Sequence, residues 1–259
     1  MQKQVNLVYI TIVGSGNVAR RLCHAFRNAR IPINQILSSS TTGKKLAEDF
    51  NSQIISSPNE ITDGSIVLLC IKDDSLKKSY LEKFKGNYLL CHTAGSVSIE
   101  VFGDRKKAGI FYPLQTLSAD REIDFANIPI CLEANNLKDL SILKILAKNI
   151  SKDVRVINSE QRLQIHLAAV FVSNFANHLY KIAEDILKEK DISFDILKPL
   201  IKESARKIQI LSPEKAQTGP ALRKDKNVIS KHLKLLDKHK EFQKIYKIIS
   251  NSIIETYKA

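Results

Sequence analysis

Residues 8–19 read Val-Tyr-Ile-Thr-Ile-Val-Gly-Ser-Gly-Asn-Val-Ala, and this stretch predicts the fold. A β-branched strand passes directly into Gly-x-Gly-x-x-Ala, the pattern of a turn that binds a dinucleotide. Gly14 permits the tight turn, Gly16 lets the backbone approach a pyrophosphate, and Ala19 keeps the following helix close to the sheet. The free N–H groups at the start of that helix would face the phosphates. A glycine turn that binds nothing remains the alternative, because many tight turns contain two glycines.

The composition predicts a folded cytoplasmic protein. The chain has 259 residues, of which 44% are apolar, and this is enough for one large domain or two ordinary ones. Apolar runs are of strand length, so we expect neither a signal peptide nor a membrane segment. The cysteines form no Cys-x-x-Cys pair, and we expect them to be buried and reduced, with no metal site. These cysteines are Cys23, Cys70, Cys91 and Cys131.

The formal charge of +13 raises the possibility of nucleic-acid binding. The lysines, however, are scattered through helical segments and have acidic neighbours, as expected for a solvated surface. No basic strand carries the aromatic residues that would stack on bases. We therefore expect no nucleic-acid partner; the opposite interpretation would require binding that depends steeply on salt.

The first part of the chain alternates strands with helices, which predicts a doubly wound parallel sheet. Near-continuous apolar strands of this kind are covered on both faces. The strand candidates are Leu7–Val13, Ile33–Ser38, Ser52–Ile55, Ile66–Ile71, Tyr88–His92, Gly109–Phe111, Ile128–Glu133 and Asp153–Ile157. The helix candidates between them are Ala19–Asn28, Lys44–Asn51, Ser75–Phe84, Ile99–Phe102 and Leu137–Asn149.

After Asn158 the pattern becomes entirely helical. We therefore predict an α/β fold in two domains: a Rossmann-like dinucleotide-binding domain at residues 1–157 and an all-α substrate and dimerisation domain at residues 158–259. The predicted helices of the second domain are Ser159–Lys188, Phe194–Leu211, Asn227–Leu236 and Lys240–Tyr257.

The segment after the second strand favours NADP(H) over NAD(H). NAD-specific folds place a carboxylate here to bind the ribose 2′-hydroxyl, whereas the first acidic residue of this chain is Glu48. Hydroxyl groups and lysines occupy the segment instead and could form an anion pocket. The candidates are Ser39, Ser40, Thr41 and Lys44. A solvated helix face is the alternative explanation for the lysines.

The carboxyl ends of the fourth, fifth and sixth strands should line the crevice in which the nicotinamide would lie. Each is followed by a polar, turn-prone loop, the usual position of functional residues on a rigid scaffold. Ordinary loop chemistry explains each residue taken singly, but the three loops converge. The candidate cofactor-binding residues are Gly14, Ser15, Gly16, Asn17, Val18, Ala19, Ile71, Lys72, His92 and Thr93, and the candidate substrate-binding residues here are Ser96 and Gln115.

The helix that begins after Asn158 carries a second polar set. At helical spacing His166, Ser173 with Asn174, and Asn177 share one face, largely separate from an apolar stripe. Imidazole can exchange a proton near neutral pH, which makes His166 the candidate acid–base group, although a packed core histidine is the commoner case. Ser173 and Asn174 would hold the substrate beside it. Asn177 and Arg223, the latter in the turn at residues 217–225, are further substrate-binding candidates.

Five motifs together give the chain a family resemblance. It resembles a bacterial family with a Rossmann-like NADP-binding domain and a C-terminal helical domain of unknown function. That family lies in the wider group of β-hydroxyacid dehydrogenases, ketopantoate reductases, pyrroline-5-carboxylate reductases and deazaflavin-dependent NADP reductases, with a 6-phosphogluconate dehydrogenase-like C-terminal domain. The motifs are Gly14–Ala19, Cys91–Ser96, Tyr112–Thr116, His166–His178 and Thr218–Arg223.

The resemblance implies hydride transfer but not the whole mechanism of that group. The β-hydroxyacid dehydrogenases carry a catalytic lysine four positions before an asparagine on the long helix. If Asn174 is that asparagine, the lysine position is Val170. We therefore expect an NADP(H)-dependent oxidoreductase that acts on a small carbonyl, hydroxyl or imine substrate held between the domains. A sensor or interaction protein that binds NADP(H) without turnover is the alternative.

A homodimer is the expected assembly. The predicted helix Ser159–Lys188 exposes more apolar surface than a short helical bundle can cover, and helical domains of two copies could cover it. The family resemblance implies the same.

Overall fold

The computed structural model describes residues 9–118 and 121–257 and divides into two compact units between Ser173 and Asn174. The predicted boundary near Asn158 instead marks the change from strands to helices, since the last strand ends at Val156.

The first unit contains one eight-stranded sheet in the order β3-β2-β1-β4-β5-β6-β7-β8. All neighbouring strands are parallel except β6 and β7, which are antiparallel. The predicted doubly wound fold is therefore confirmed. Leu7 and Val8 of the first predicted strand lie outside the described residues. The strands are β1 Ile10–Val13, β2 Gln35–Leu37, β3 Gln53–Ile55, β4 Ile66–Leu69, β5 Leu89–His92, β6 Ala108–Pro113, β7 Ile130–Ala134 and β8 Val154–Val156.

Helices cover both faces of the sheet and form two apolar layers with it. Ile10 and Ile12 of β1 point into one layer and Val13 into the other, and β4 divides its side chains in the same way. All four cysteines are buried and unpaired, as predicted. The helices of this unit are α1 Asn17–Asn28, α2 Thr41–Asp49, α3 Lys78–Leu81, α4 Leu137–Lys148 and α5 Ser159–Ala169.

Two predicted helices are shorter or tighter than expected. The segment Ser75–Phe84 contains only α3, preceded by a 3-10 turn at Asp73–Ser75, because buried Leu76 has a non-helical backbone with φ −80° and ψ 66°. Ile99–Phe102 is likewise a 3-10 turn. Both predictions were wrong in type or length because local apolar spacing does not report such short turns.

The predicted helix Ser159–Lys188 is interrupted by a π segment. After α5 the backbone continues as a π-helix at Val170–Phe175 and returns to the α form at α6, Ala176–Lys188. A π turn contains one extra residue, so side chains after it are rotated relative to an α-helical count. The sequence-based placement of Asn174 and Asn177 on the face of His166 assumed that α-helical count.

The second unit consists of helices, as predicted. It contains α6 together with α7 Lys198–Ile210, α8 Pro213–Ala216, α9 Lys226–Leu235 and α10 Lys240–Thr256. The predicted helix Phe194–Leu211 begins with a 3-10 turn, Phe194–Leu197, and α8 was not predicted. Within residues 9–118 and 121–257, no helix is both long and apolar enough to span a membrane.

Candidate functional site

The turn between β1 and α1 has the geometry that its two glycines predict. Gly14 has φ +104°, and a Cβ atom there would lie 2.6 Å from the carbonyl oxygen of Cys70. Its N–H donates to the carbonyl oxygen of Leu37 at 3.0 Å, which fixes the turn to the end of β2. Apart from its chain neighbours Ser15 and Asn17, no described residue has an atom within 4 Å of a Cβ built on Gly16. The backbone at Gly16 is therefore open to a ligand, while Gly14 packs against β4.

The N-terminus of α1 can bind an anion. The helix begins at Asn17, and its N-cap residue, Gly16, has no side chain to accept a hydrogen bond from the first turn. The first turn, residues 17–20, contains no Asp or Glu. The partial positive charge of the helix end and its free N–H groups therefore suit a pyrophosphate. Val18 and Ala19 pack against the core and hold the helix to the sheet, as the motif predicts.

A cluster of hydroxyl groups lies beside this turn. Ser40 Oγ is 3.1 Å from Ser15 Oγ, 3.0 Å from Ser38 Oγ and 3.0 Å from Thr42 Oγ1. Ser40 also caps α2, accepting a hydrogen bond from the N–H of Gly43 at 3.0 Å. The cluster therefore joins the end of β1 to the start of α2.

The surroundings of the hydroxyl cluster suit a phosphate group rather than a free ribose hydroxyl. Ser39, Thr41 and Lys44 are exposed around it, and α2 also begins without an acidic residue. Hydroxyl donors, a helix N-terminus and a nearby ammonium group all favour negative charge. The residues of the β1–α1 turn and of this cluster thus fit a dinucleotide with a phosphate on its adenosine ribose.

The loops after β4 and β5 meet at the carboxyl edge of the sheet. The Ser96 hydroxyl donates a hydrogen bond to the Asp73 carboxylate, and Thr93 Oγ1 donates to the carbonyl oxygen of Leu69 at 3.2 Å. Ile71 Cγ2 lies 3.3 Å from a Cβ built on Gly14, and Lys72, the next residue in the chain after Ile71, is exposed. These candidates from neighbouring strands therefore do come together, next to the glycine turn.

His92 differs from the other candidates because its side chain faces the interior. It is fully buried, its ring stacks on Phe102 at 5.5 Å, and its Nδ1 accepts a hydrogen bond from the N–H of Ala94 at 3.2 Å. Burial, together with the positive charge of Arg162, lowers the pKa of His92 to about 3. The ring is therefore neutral and supports the loop at residues 93–96 from below, so a ligand contact there would come from the backbone.

A buried ion pair fastens α5 to the sheet. Arg162 is 1% exposed, and its Nη1 lies 2.6 Å from Glu133 Oε2 on β7. Nη2 of the same guanidinium group donates to the carbonyl oxygen of Val97 and to Ser159 Oγ, the latter at 3.1 Å. Ser159 Oγ in turn donates to Glu133 Oε2 at 2.7 Å. The position of α5 is thus set by charge-assisted hydrogen bonds in the interior.

One turn further along α5, His166 contacts the carboxyl ends of β5 and β6. Its Nδ1 is 3.2 Å from the hydroxyl of Tyr112, and the two rings meet edge to face at 6.2 Å. A Cβ on Gly95 would lie 2.5 Å from that Nδ1, so the His166 ring packs directly on the glycine. His166 is partly exposed, and among the described residues no hydrogen bond involves its other ring nitrogen, Nε2.

The remaining candidates are exposed or partly exposed. Gln115 is exposed after β6, where its Oε1 accepts a hydrogen bond from the N–H of Thr116 at 2.9 Å. Ser173 is partly exposed in the π segment. Asn174, Asn177 and Arg223 belong to the second unit, where all three are exposed. Their roles remain predictions.

Sequence reasoning did not select Tyr112, Gly95 or Arg162 as site residues. Tyr112 belongs to the motif Tyr112–Thr116 and Gly95 to the motif Cys91–Ser96. A glycine directly after a strand often indicates close packing of another group against the backbone. Arg162 had no local signal, because its partner Glu133 is far away in the sequence.

The fold and the β1–α1 turn define a Rossmann-like dinucleotide-binding protein. The family model of a domain of unknown function, DUF2520, matches residues 128–253. Over 96% of this chain and 98% of the other, the chain is 37% identical to a Bacteroides fragilis protein described as a "putative NADP oxidoreductase", with a TM-score of 0.88. The chain belongs to this DUF2520 family of Rossmann-like proteins.

Two more distant structures share the fold. A Thermotoga maritima protein is 24% identical, with a TM-score of 0.73 and coverage of 96% of this chain and 98% of the other. An imine reductase of Myxococcus stipitatus, solved in complex with NADP+, is 11% identical, with a TM-score of 0.62 and coverage of 96% and 92%. No curated protein sequence matches the chain significantly.

Proposed function

We propose that this protein is an NADP(H)-dependent oxidoreductase that transfers hydride to or from a small carbonyl, hydroxyl or imine substrate. The observation that carries the proposal is the open N-terminus of α1 at Gly16 beside the Ser15 and Ser40 hydroxyls. The NADP(H) prediction agrees with the description of the Bacteroides fragilis relative and with the NADP+ complex of the imine reductase.

The residues at the carboxyl edge of the sheet would orient and polarise the substrate. NADPH, when bound, supplies the hydride, and the protein supplies position and electrostatics. Ser96, held by Asp73, and the backbone at residues 93–96 would shape the nicotinamide side. His166 would polarise the reacting carbonyl or imine group and take part in proton transfer.

A sensor that binds NADP(H) without turnover is the second candidate, and Val170 favours it. This residue occupies the position at which the resemblance places the catalytic lysine, and an alkyl side chain cannot donate a proton. The π segment begins at the same residue. Which candidate is correct depends on whether His166 replaces the lysine function.

NADPH binding and turnover separate the two candidates. NADPH should raise the unfolding temperature of the protein more than NADH does, and NADPH oxidation should appear with at least one member of a panel of cyclic imines, 2-oxo acids and aldehydes. His166→Ala should abolish turnover and retain NADPH binding, whereas His178→Ala, at an exposed histidine of α6, should retain both. Binding without turnover across the panel would favour the sensor, and protection by neither cofactor would reject both candidates.

We also propose a homodimer assembled through the helical unit. Its apolar side chains are exposed to an unusual degree: within residues 174–257 only Ile182, Ala221 and Leu236 are buried apolar residues. A second copy of the chain would remove the exposed apolar side chains from water.

A further inference from the structure

The contact between Tyr112 and His166 supports an inference that rests on the proposed function. Arg162 is held by Glu133 and by the carbonyl oxygen of Val97. It lies one helical turn before His166, so these contacts also position the imidazole relative to the sheet. Tyr112 lies in β6, a strand that is buried over its whole length, and is itself 9% exposed, so the position of its ring is also fixed. Two rigid elements therefore bring the phenol and the imidazole together.

Gly95 makes this approach possible. A Cβ at that position would lie 2.5 Å from His166 Nδ1 and 2.9 Å from Tyr112 Cζ, distances that real side chains do not adopt. Both neighbours are rings held by their own elements, so neither could move away cheaply. The lack of a side chain at Gly95 thus leaves room for the hydrogen bond of 3.2 Å between the Tyr112 hydroxyl and His166 Nδ1.

The direction of this hydrogen bond determines which nitrogen of His166 carries a proton. Burial raises the pKa of Tyr112 to about 12, so the phenol keeps its proton at neutral pH. Among the described residues, His166 Nδ1 is the one hydrogen-bond partner of that hydroxyl. The proton of this buried phenol therefore has Nδ1 as its acceptor. A neutral imidazole that accepts at Nδ1 carries its proton on Nε2.

We propose that Tyr112 is a positioning residue that holds His166 in the tautomer with its proton on Nε2. In this form the Nε2–H of His166, a partly exposed residue, can donate a hydrogen bond to the oxygen or nitrogen of a carbonyl or imine group. The same Nε2–H can polarise such a group and then give its proton to the oxygen or nitrogen on which hydride transfer builds up negative charge. This tautomer suits reduction, because Nε2 has no lone pair to take a proton from an alcohol or amine.

Nitrogen-15 NMR of the imidazole side chains tests the tautomer directly and needs neither substrate nor cofactor. In the full-length protein at neutral pH, His166, assigned by loss of its signals in His166→Gln, should show the pattern of a proton on Nε2. Tyr112→Phe keeps the ring and removes the hydroxyl, so it should convert this pattern into a tautomer mixture. Gly95→Ala should act in the same direction by separating the rings.

The second unit provides a matched control. His232 Nδ1 lies 2.9 Å from the hydroxyl of Tyr246, and the rings again meet edge to face at 5.7 Å. Tyr246→Phe should therefore change the signals of His232 and leave those of His166 unchanged, while Tyr112→Phe should do the reverse. A proton on Nδ1 of His166 in the wild-type protein, or no change on Tyr112→Phe, would overturn the proposal.

Turnover separates a positioning role from a purely structural one. Removing an outer partner that orients a functional histidine lowers activity roughly 10- to 100-fold in metal sites, and we expect a loss of that order in kcat for Tyr112→Phe with any active panel substrate. The dissociation constant of NADPH should stay within about twofold, since Tyr112 is not among the proposed cofactor-binding residues. Failure of NADPH binding would reject the proposed function but leave the tautomer result valid.

Discussion

At the scale of single residues, the two glycines of the first turn have different tasks. Gly14 is required by the fold, because its φ of +104° and the nearby Cys70 carbonyl exclude a side chain. Gly16 has an ordinary extended backbone, with φ −76°, and open space where a Cβ would lie. Any need for glycine at position 16 must therefore come from the close approach of a ligand and not from packing within the protein.

Substituting each glycine by alanine should separate these tasks. Gly14→Ala should lower the free energy of unfolding by about 2 kcal/mol or more, because backbone strain and a backbone clash combine. Gly16→Ala should lower it by about 1 kcal/mol or less, the loss expected for a poorer N-cap residue, but weaken NADPH binding at least about tenfold. Urea unfolding and fluorescence titration measure the two effects; equal destabilisation by both variants would contradict this assignment.

His92 should make stability depend on pH. Its pKa is about 3 in the folded protein against 6.5 as the ordinary value, so below about pH 6.5 the unfolded chain binds a proton that the folded chain does not. The folded state should therefore lose stability as the pH falls, by up to about 2 kcal/mol at pH 5. His92→Gln should reduce this dependence between pH 7 and pH 5, and urea unfolding at both pH values measures it. An unchanged pH dependence would show that His92 is not buried in the neutral form.

At the scale of elements, the site depends on how α5 and α2 are attached to the sheet. The Arg162–Glu133 pair fastens α5 from within, and the Ser40 hydroxyl caps α2 next to the glycine turn. The same two attachments place His166 over Gly95 and the hydroxyl cluster beside Ser15. The residues that hold these two helices to the sheet therefore also set the geometry of the site.

Removal of Arg162 should be far more damaging than removal of a surface arginine. Arg162→Met leaves Glu133 without its buried partner, and breaking such pairs typically lowers stability by about 3–5 kcal/mol. Arg155, whose side chain is 60% exposed and pairs with Asp153, is the matched control. Arg155→Met should change the free energy of unfolding by less than about 1 kcal/mol. Similar losses in both variants, measured by urea unfolding, would contradict the role of the buried pair.

The start of α2 should control the choice between NADPH and NADH. Ser39→Asp introduces a carboxylate beside the hydroxyl cluster, where it would repel a 2′-phosphate and accept a hydrogen bond from a 2′-hydroxyl. The ratio of NADH to NADPH dissociation constants should fall at least about tenfold. Ser39→Asn, of equal size and without charge, is the control. A ratio unchanged in both variants would move the phosphate site away from this cluster.

At the scale of the whole molecule, the distribution of buried apolar residues is strongly unequal. The first unit has two extended apolar layers around its sheet, whereas the helices after Asn174 expose many large apolar side chains. On α7, Leu200 is 63% exposed and Ile208 is 51% exposed. On the dimer proposal, the helical unit of a second copy covers these side chains.

Light scattering after size-exclusion chromatography should give twice the mass of one chain. Replacing Leu200 and Ile208 together by glutamate should shift the protein towards the monomer, because two charges would be buried on association. Lys202→Glu, at an exposed polar position of the same helix, should leave the mass unchanged. A monomeric wild-type protein at micromolar concentration would contradict the dimer proposal.

The sequence by itself determined the order of strands and helices and the position of the cofactor turn. Short-range patterns carry this information: apolar runs mark buried strands, and Gly14 and Gly16 stand in a fixed relation to the strand that precedes them. The absence of an acidic residue before Glu48 was also sufficient to predict NADP(H). Each of these features depends on residues that are close together in the chain.

The tertiary structure decided what local patterns do not contain. The antiparallel direction of β7, the burial of His92 and the π segment all follow from packing or backbone geometry. Tyr112 meets His166 because a buried ion pair fastens α5 to β7, the strand beside β6, and because Gly95 leaves room for the two rings. Contacts between residues distant in sequence are selected by the energy of the whole packed unit, so the residues that position His166 became visible only in three dimensions.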